Sequence, residues 1–277
     1  MNILLGCLSF KEYTGSEIYF YELSTALIDA GHTVNIFSLS KGSPLMDKIE
    51  DAFFADEYSV DNIQYDLVIF SHSKLIWEHI KNVNTKKFIN VIHSEVIELE
   101  EPCLSSKVNL YVGIRPSIVE FVKSIVPKDK RVKLIYNPFN FNRFNPSNCK
   151  KENKKDKVVL FPGSLDYLRL NPIKYLLDLS EKQNFKVIHV GRNDYNITHD
   201  NLSTHPPVWS VEQYYKQCDI VSGIFLGRTS IEGLLCEKKV LQFDVDSAGK
   251  IKKVYWHTED NLEKFNKNNT VKELINV

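Results

Sequence analysis

Short apolar runs of strand length alternate with helical patterns along most of this 277-residue chain, and this alternation is what most constrains its fold. In the first half the patterns predict strands at 3–8, 33–39, 66–70, 87–93, 108–114 and 132–136 and helices at 17–30 and 116–125. In the second half they predict strands at 158–161, 185–190, 219–224 and 239–244 and helices at 172–183, 210–217 and 229–236. Such alternation implies parallel strands covered on both faces by crossover helices. The predicted fold class is α/β, with two Rossmann-like domains facing across a cleft.

A charged segment separates the two halves. Residues 147–157 contain five lysines and no aliphatic side chain, which favours a solvated linker over a phosphate-binding role. The predicted domains are therefore residues 1–146, joined by a closing helix at 260–277, and residues 158–259.

Composition excludes several classes of protein. With 35 Lys+Arg against 35 Asp+Glu, the chain has no net charge to draw it to nucleic acid or to an anionic membrane. The five cysteines (Cys7, Cys103, Cys149, Cys218 and Cys236) are scattered and never spaced as CxxC, so we expect reduced thiols and no zinc site. The apolar start lacks a basic region and fits a first strand better than a signal peptide. We expect a cytoplasmic protein.

Well-known nucleotide and hydrolase motifs are missing from the sequence. There is no GxGxxG after either first strand, which argues against a nicotinamide or flavin site. There is also no GxxxxGK[ST], HExxH or GxSxG. What remains is a set of small-residue turns at strand ends, where open α/β sheets bind their ligands.

Two of these turns could bind phosphate. Gly15 and Ser16 open the first helix, whose exposed backbone N–H groups form an anion site. Gly163 ends the first strand of the second half, and Arg169 follows it closely enough to hold a diphosphate. The alternatives are an ordinary turn between strand and helix, and a surface arginine above a tight turn.

The sharpest candidate lies at residues 223–233, where a strand runs into glycine and then a helix. Arg228 could take phosphate charge, and Glu232 could accept hydrogen bonds from ribose hydroxyls. A capping box is the alternative, because Glu232 follows Thr229 by three residues.

Two polar residues also follow predicted strands of the first half. His93 could polarise a ligand hydroxyl or phosphate, although a lone histidine is more often structural. Asn137 precedes a proline at the end of the strand at 132–136.

In this order, these residues resemble the family 4 glycosyltransferases of the GT-B fold. The matching segments are Gly15-Ser16-Glu17, Gly31-His32 before a strand, His93, residues 135–140 around Asn137, Phe144 and Pro146, Gly163 with Arg169, and Gly227 to Gly233 followed by 239–241. The resemblance implies transfer of a sugar from a nucleotide-diphosphate sugar, with retention of anomeric configuration and without a metal or other cofactor.

The resemblance also assigns residues to the site. It places His93 near the transferred sugar and Glu232 on the ribose, and treats both as catalytic. It gives the diphosphate to Arg228, Arg169 and the amides of Gly15 and Ser16. The full nucleotide-sugar set that it implies is Gly15, Ser16, Asn137, Gly163, Ser164, Arg169, Gly227, Arg228, Thr229 and Glu232.

Three departures from the family pattern leave alternatives open. Ser164 stands where the family has arginine, Ile224 stands where it has a sugar-binding glutamate, and the second domain is trimmed. A sugar-nucleotide or glycan-binding homologue without turnover is one alternative. A DNA-base glycosyltransferase, with lysines 123, 128, 130 and 133 as a basic rim, is another that the zero net charge disfavours. The favoured acceptors are a glycan, a lipid-linked glycan or a protein, with peripheral contact to the inner face of a membrane left open.

Overall fold

The computed structural model describes residues 1–49, 52–152 and 156–276. The strands are β1 (Asn2–Phe10), β2 (Thr33–Lys41), β3 (Phe53–Phe54), β4 (Gln64–Tyr65), β5 (Leu67–Ser71), β6 (Asn84–Thr85), β7 (Phe88–Ile92), β8 (Leu110–Gly113), β9 (Arg131–Leu134), β10 (Val158–Pro162), β11 (Lys186–Val190), β12 (Leu202–His205), β13 (Ile220–Ile224), β14 (Lys239–Val245) and β15 (Ile251–His257). The helices are α1 (Gly15–Asp29), α2 (Glu57–Asn62), α3 (Ser73–His79), α4 (Pro116–Ile125), α5 (Leu170–Gln183), α6 (Glu212–Tyr215), α7 (Arg228–Leu235) and α8 (Lys267–Ile275).

These elements form two compact units. The first comprises Met1–Pro138 and the segment from Lys264 onwards, and the second comprises Phe139–Glu263. The division falls at Pro138, ahead of the charged segment 147–157. Residues 153–155 of that segment lie outside the described residues, while Lys151 pairs with Asp219 of the second unit at 2.5 Å.

The first unit is built on a parallel sheet with the order β3-β2-β1-β5-β7-β8-β9. Helix α1 packs on β1, and α8 packs against α1. Thr270 Oγ1 of α8 also donates a hydrogen bond to the carbonyl of Tyr136, which follows β9, at 3.1 Å. The chain leaves β1 for β2 on one side and later returns to β5 on the other. Strand order therefore reverses between β1 and β5, the position at which such sheets bind ligands.

The second unit has a sheet with the order β12-β11-β10-β13-β14-β15, parallel except for the antiparallel β14–β15 pair. Its strand order reverses between β10 and β13, the strands that precede the candidate turns at Gly163 and Gly227. All five residues of β10 are buried, as expected for an interior strand of a mostly parallel sheet. Both units are thus Rossmann-like, and the predicted α/β fold class is confirmed.

The predicted elements with continuous apolar runs are present, with ends displaced by a few residues. The predicted helix 210–217 is reduced to α6, and its N-cap is Val211 rather than Ser210. The patterns missed the short elements β3, α2, β4 and β6 as well as α3, β12 and β15. In β15 the apolar positions are interrupted by Lys252 and Lys253, since an edge strand needs no continuous apolar run.

The prediction that all five cysteines are reduced is wrong for one pair. Cys149 and Cys236 form a disulfide with their Cα atoms 5.4 Å apart. They are 87 residues apart in the sequence, and only tertiary packing brings them together. Cys7, Cys103 and Cys218 are buried free thiols.

In the described part of the chain, no helix is both long enough and apolar enough to cross a bilayer.

The contact between β1 and β5 yields a first test. A Cβ atom added at Gly6 would lie 2.3 Å from Cδ1 of the fully buried Phe70, whereas one added at Gly15 would meet no atom within 4 Å. We expect Gly6→Ala to lower the free energy of unfolding by about 1–3 kcal/mol through overpacking, measured by urea denaturation. Gly15→Ala is the control and should be close to wild type. Equal stabilities of the two variants would contradict this packing.

Candidate functional site

The turn between β13 and α7 brings the sharpest sequence candidates together. Phe225 follows β13 with a φ of 54°, a left-handed conformation that turns the chain sharply. Gly227 is the N-cap of α7. Because glycine has no side chain, it accepts no hydrogen bond from the first backbone N–H groups of the helix. Arg228 and Thr229 then occupy the first turn of the helix.

Glu232 lies on α7 at the centre of a buried polar cluster. Its Oε1 is 2.8 Å from Arg228 Nε, and its Oε2 accepts a hydrogen bond from the Tyr215 hydroxyl at 2.9 Å. The Arg228 guanidinium also stacks over the Phe139 ring at 4.6 Å. The structure therefore excludes the capping box, because the N-cap of α7 is Gly227 rather than Thr229 or Ser230 and the Glu232 carboxylate is held by the side chains of Arg228 and Tyr215.

Tyr215 was not found by sequence reasoning, and no local pattern marks it. Burial raises its pKa well above the ordinary value, and the neighbouring Glu232 carboxylate raises it further. Tyr215 is thus a neutral hydrogen-bond donor that holds the carboxylate of Glu232.

The turn after β10 contains the second group of candidates. Gly163 has a φ of 108°, and a Cβ there would lie 3.3 Å from Arg169 Nε, so the guanidinium lies against the glycine. Arg169 already pairs with Asp166, with 2.5 Å between Nη1 and Oδ2. Ser164 Oγ accepts a long hydrogen bond from Arg192 Nε at 3.4 Å.

Two residues that the sequence reading missed shape this turn. The buried His189 contacts the Gly163 carbonyl through Nε2 at 2.8 Å. Gly191 allows the backbones to approach, because a Cβ there would lie 2.3 Å from the same carbonyl oxygen. Burial lowers the pKa of His189, although the carbonyl contact opposes the shift. Both residues end β11, where the sequence pattern shows only a strand followed by glycine.

In the first unit, Gly15 and Ser16 begin α1 as predicted, and Gly15 is exposed. The buried Glu17 serves the loop before the helix. Its carboxylate accepts hydrogen bonds from the Lys11 and Glu12 amides at 3.3 and 3.0 Å. Glu17 therefore closes the loop between β1 and α1 instead of facing a ligand.

His93 follows β7 and lies at the same edge of the first sheet as the start of α1. Its ring packs edge-on against Tyr19 of α1, with centroids 4.7 Å apart. Its Nε2 is buried and has no hydrogen-bond partner among the described residues. Burial lowers the pKa of His93 to about 4, opposed by the nearby Glu100 carboxylate, so the ring is neutral at pH 7.

Asn137 lies in the first unit after β9. It is buried, and its Oδ1 finds no partner within the described residues. The candidates therefore form two groups. Gly15, Ser16, His93 and Asn137 belong to the first unit, and Gly163, Ser164, Arg169, Gly227, Arg228, Thr229 and Glu232 belong to the second.

In the described parts of the chain, no group of three or more His, Cys, Asp or Glu side chains is placed to hold a metal ion.

Comparison with known proteins gives a clear result only at the level of structure. No protein-family model matches the chain, and no curated protein matches it. HepE from Anabaena, solved with UDP-glucose, is similar with a TM-score of 0.66 at 15% identity, over 90% of this chain and 81% of that one. Sucrose-phosphate synthase from Thermosynechococcus elongatus is similar with a TM-score of 0.65 at 14% identity, over 99% and 94% of the two chains.

A third similar structure was solved with both a nucleotide and DNA. An alpha-glucosyltransferase in complex with UDP and a 13-mer DNA containing a HMU base has a TM-score of 0.60 at 13% identity, over 88% of this chain and 80% of that one. The chain has the GT-B fold. At identities this low the likeness establishes the fold, and the expectation of a GT-B architecture from the sequence is confirmed.

The buried His93 ring gives a testable titration. Since its pKa of about 4 lies below the ordinary 6.5, the unfolded chain binds this proton more readily than the folded one. The fold should therefore lose stability as the pH falls from 6.5 toward 4. Histidine NMR titration should give a midpoint near 4 for the signal that disappears in His93→Asn. A midpoint near 6.5 would show that the ring is solvated.

The Glu232 cluster gives a second test. Tyr215→Phe removes the donor to Oε2 and leaves a buried carboxylate oxygen without it, which should cost about 1–3 kcal/mol of unfolding free energy. Tyr214→Phe, one residue earlier and half-buried, is the matched control. Urea denaturation compares the two, and equal stabilities would mean that the hydroxyl does not support Glu232.

Proposed function

We propose that this protein is a retaining glycosyltransferase that transfers a sugar from a nucleotide-diphosphate sugar to an acceptor without a metal ion. The observation that carries the proposal is the buried Arg228–Glu232 pair at the start of α7, where strand order in the second sheet reverses. A guanidinium and a carboxylate at such a position suit the two polar parts of a nucleotide diphosphate. The solved neighbours that bind UDP-glucose or UDP support the same class of donor.

In this proposal Glu232 accepts hydrogen bonds from the ribose hydroxyls. An ionised carboxylate has about four acceptor sites on its two oxygens, so Tyr215 and Arg228 do not exhaust Glu232. The carboxylate is held in place before the donor arrives, which reduces the cost of ordering it on binding.

The diphosphate is assigned to Arg228, Arg169 and the backbone N–H groups that begin α1 and α7. Cationic groups and N–H dipoles stabilise the negative charge that develops on the departing diphosphate. Arg169 reaches a phosphate by leaving Asp166 or by sharing it, since a guanidinium has five N–H donors. His93, neutral at pH 7, is assigned to a hydroxyl of the transferred sugar through Nε2.

The acceptor proposed is a glycan, a lipid-linked glycan or a protein, and the protein is proposed to act in the cytoplasm or at the inner face of a membrane. The DNA alternative is weakened because three of the four lysines that would form its basic rim already have partners in the structure. Lys123 pairs with Glu120 at 3.1 Å, Lys133 with Glu273 at 3.8 Å, and Lys130 donates to the Val108 carbonyl at 3.1 Å. Binding to duplex DNA that falls steeply with salt would restore this alternative.

Thermal unfolding with UDP, GDP, ADP and their sugar conjugates tests the donor. A nucleotide at about 100 times its Kd should stabilise the fold by about 2.7 kcal/mol, which corresponds to a rise of several degrees in Tm. Glu232→Ala should abolish the rise, measured against its own unliganded Tm. Glu181→Ala, on an exposed glutamate of α5, should retain it.

Three other outcomes would count against the proposal. If no nucleotide raises the Tm, the donor assignment fails. If Glu232→Ala and Glu181→Ala respond alike, Glu232 does not hold the ribose. Tight binding with neither transfer nor donor hydrolysis would establish the homologue without turnover, for which Ser164 and Ile224 are the sequence argument.

A further inference from the structure

A buried carboxylate close to His93 is not used by the proposed mechanism. Glu100 lies in the 3-10 turn Glu98–Glu100 after β7 and is 5% exposed. Its Oε2 accepts a hydrogen bond from the His93 backbone N–H at 3.0 Å. Its Oε1 lies 3.4 Å from His72 Nε2.

His72 connects this carboxylate to the first strand. It directly follows β5, and its Nδ1 accepts a hydrogen bond from the Leu8 N–H of β1 at 3.0 Å. Because Nδ1 is an acceptor, the proton of the neutral ring is on Nε2, which faces Glu100. His72 has a φ of 70°, a strained conformation that persists only where the surroundings hold it.

The backbone of His93 is held on both sides. Glu100 accepts its N–H, and the buried Arg115 reaches its carbonyl through Nη1 at 3.4 Å. The ring packs edge-on against Tyr19. Nε2 is a buried atom of His93 without a hydrogen-bond partner among the described residues, so its hydrogen-bonding capacity is unused there.

Glu100 has to be a carboxylate to make both contacts. The His93 N–H and the His72 Nε2–H are both donors, and an ionised carboxylate accepts through both oxygens. A glutamine of the same shape would turn an NH₂ group toward one of them. Burial raises the pKa of Glu100, but the His72 and His93 interactions outweigh burial and hold the pKa below its ordinary value.

We propose that His72 and Glu100 are positioning residues that hold His93 in the backbone and ring orientation in which its Nε2 meets the sugar being transferred. The inference rests on the proposed function and extends it to two residues that touch neither the donor nor the reacting atoms. His72 Nε2 contacts Glu100, and Glu100 accepts the backbone N–H of His93. Together with the Leu8 contact of His72, these interactions connect the carboxyl ends of β1, β5 and β7.

The test compares Glu100→Gln with Glu98→Gln, the same substitution on an exposed side chain of the same turn. UDP release from UDP-glucose is measured first, and then from whichever conjugate gives the largest thermal shift. Glu100→Gln should lower kcat by up to about 10²-fold, because a small displacement of a positioned group costs that much. The Kd for the nucleotide should stay within about twofold of wild type, because Glu100 contacts His93 and His72 and none of the groups assigned to the nucleotide. Glu98→Gln should resemble wild type.

A second variant guards against a purely structural effect. His72→Phe keeps an aromatic ring but removes both the donor to Glu100 and the acceptor for Leu8. If His72 and Glu100 position His93 jointly, the double variant Glu100→Gln/His72→Phe should lose no more kcat than the worse of the two single variants. Multiplicative losses would contradict a shared role.

Histidine NMR tests the arrangement even without a substrate. Wild-type His72 should show the Nε2–H tautomer, and Glu100→Gln should shift the His93 amide signal while Glu98→Gln leaves it unchanged. An Nδ1–H tautomer at His72, or an unmoved His93 amide in Glu100→Gln, would overturn the inference. Wild-type kcat in Glu100→Gln would also overturn it and leave the proposed function standing, whereas failure of every nucleotide to bind would count against the proposed function.

Discussion

Parallel strand pairing is the constraint on which the rest of this structure depends. Because all strands of the first sheet, and all but β15 of the second, run the same way, their carboxyl ends meet at one edge and the residues that follow them become neighbours. This brings His72 and His93 together in the first unit, and the turns at Gly163 and Gly227 to one sheet edge in the second. These residues are far apart in sequence and share a site region only through sheet order.

Burial of charge at these edges explains why so many side chains there have matched partners. An ionised group removed from water is costly unless it is paired and hydrogen-bonded. Three of the buried glutamates solve this in different ways: Glu17 closes a loop through backbone amides, Glu100 joins two histidine positions, and Glu232 joins Arg228 to Tyr215. The same chemistry therefore serves loop closure, the proposed positioning of His93 and the proposed binding of ribose.

Sequence patterns predicted the strands that are buried along their whole length and missed elements in which exposed and half-buried residues are mixed. The strands β5 and β7 are buried on both faces and read as continuous apolar runs. The edge strand β15 has two adjacent exposed lysines among half-buried residues, and the short α3 follows a left-handed His72, so neither has a clear periodicity. The spacing of Thr229 and Glu232 fits both a capping box and a ligand site, and it took the contact with Arg228 to exclude the capping box.

The sequence alone determined the α/β class and its division into two Rossmann-like halves, because these follow from local periodicity. Its resemblance to a glycosyltransferase family led to the expectation of the GT-B fold, and small residues at strand ends predicted the turns at which we propose that ligands bind. Tertiary structure decided which side chains meet. It paired Cys149 with Cys236, gave Glu232 its Tyr215 donor and set Glu100 beneath His93. These contacts join residues on different elements, and their energies depend on burial and distance, which no local pattern in the chain encodes.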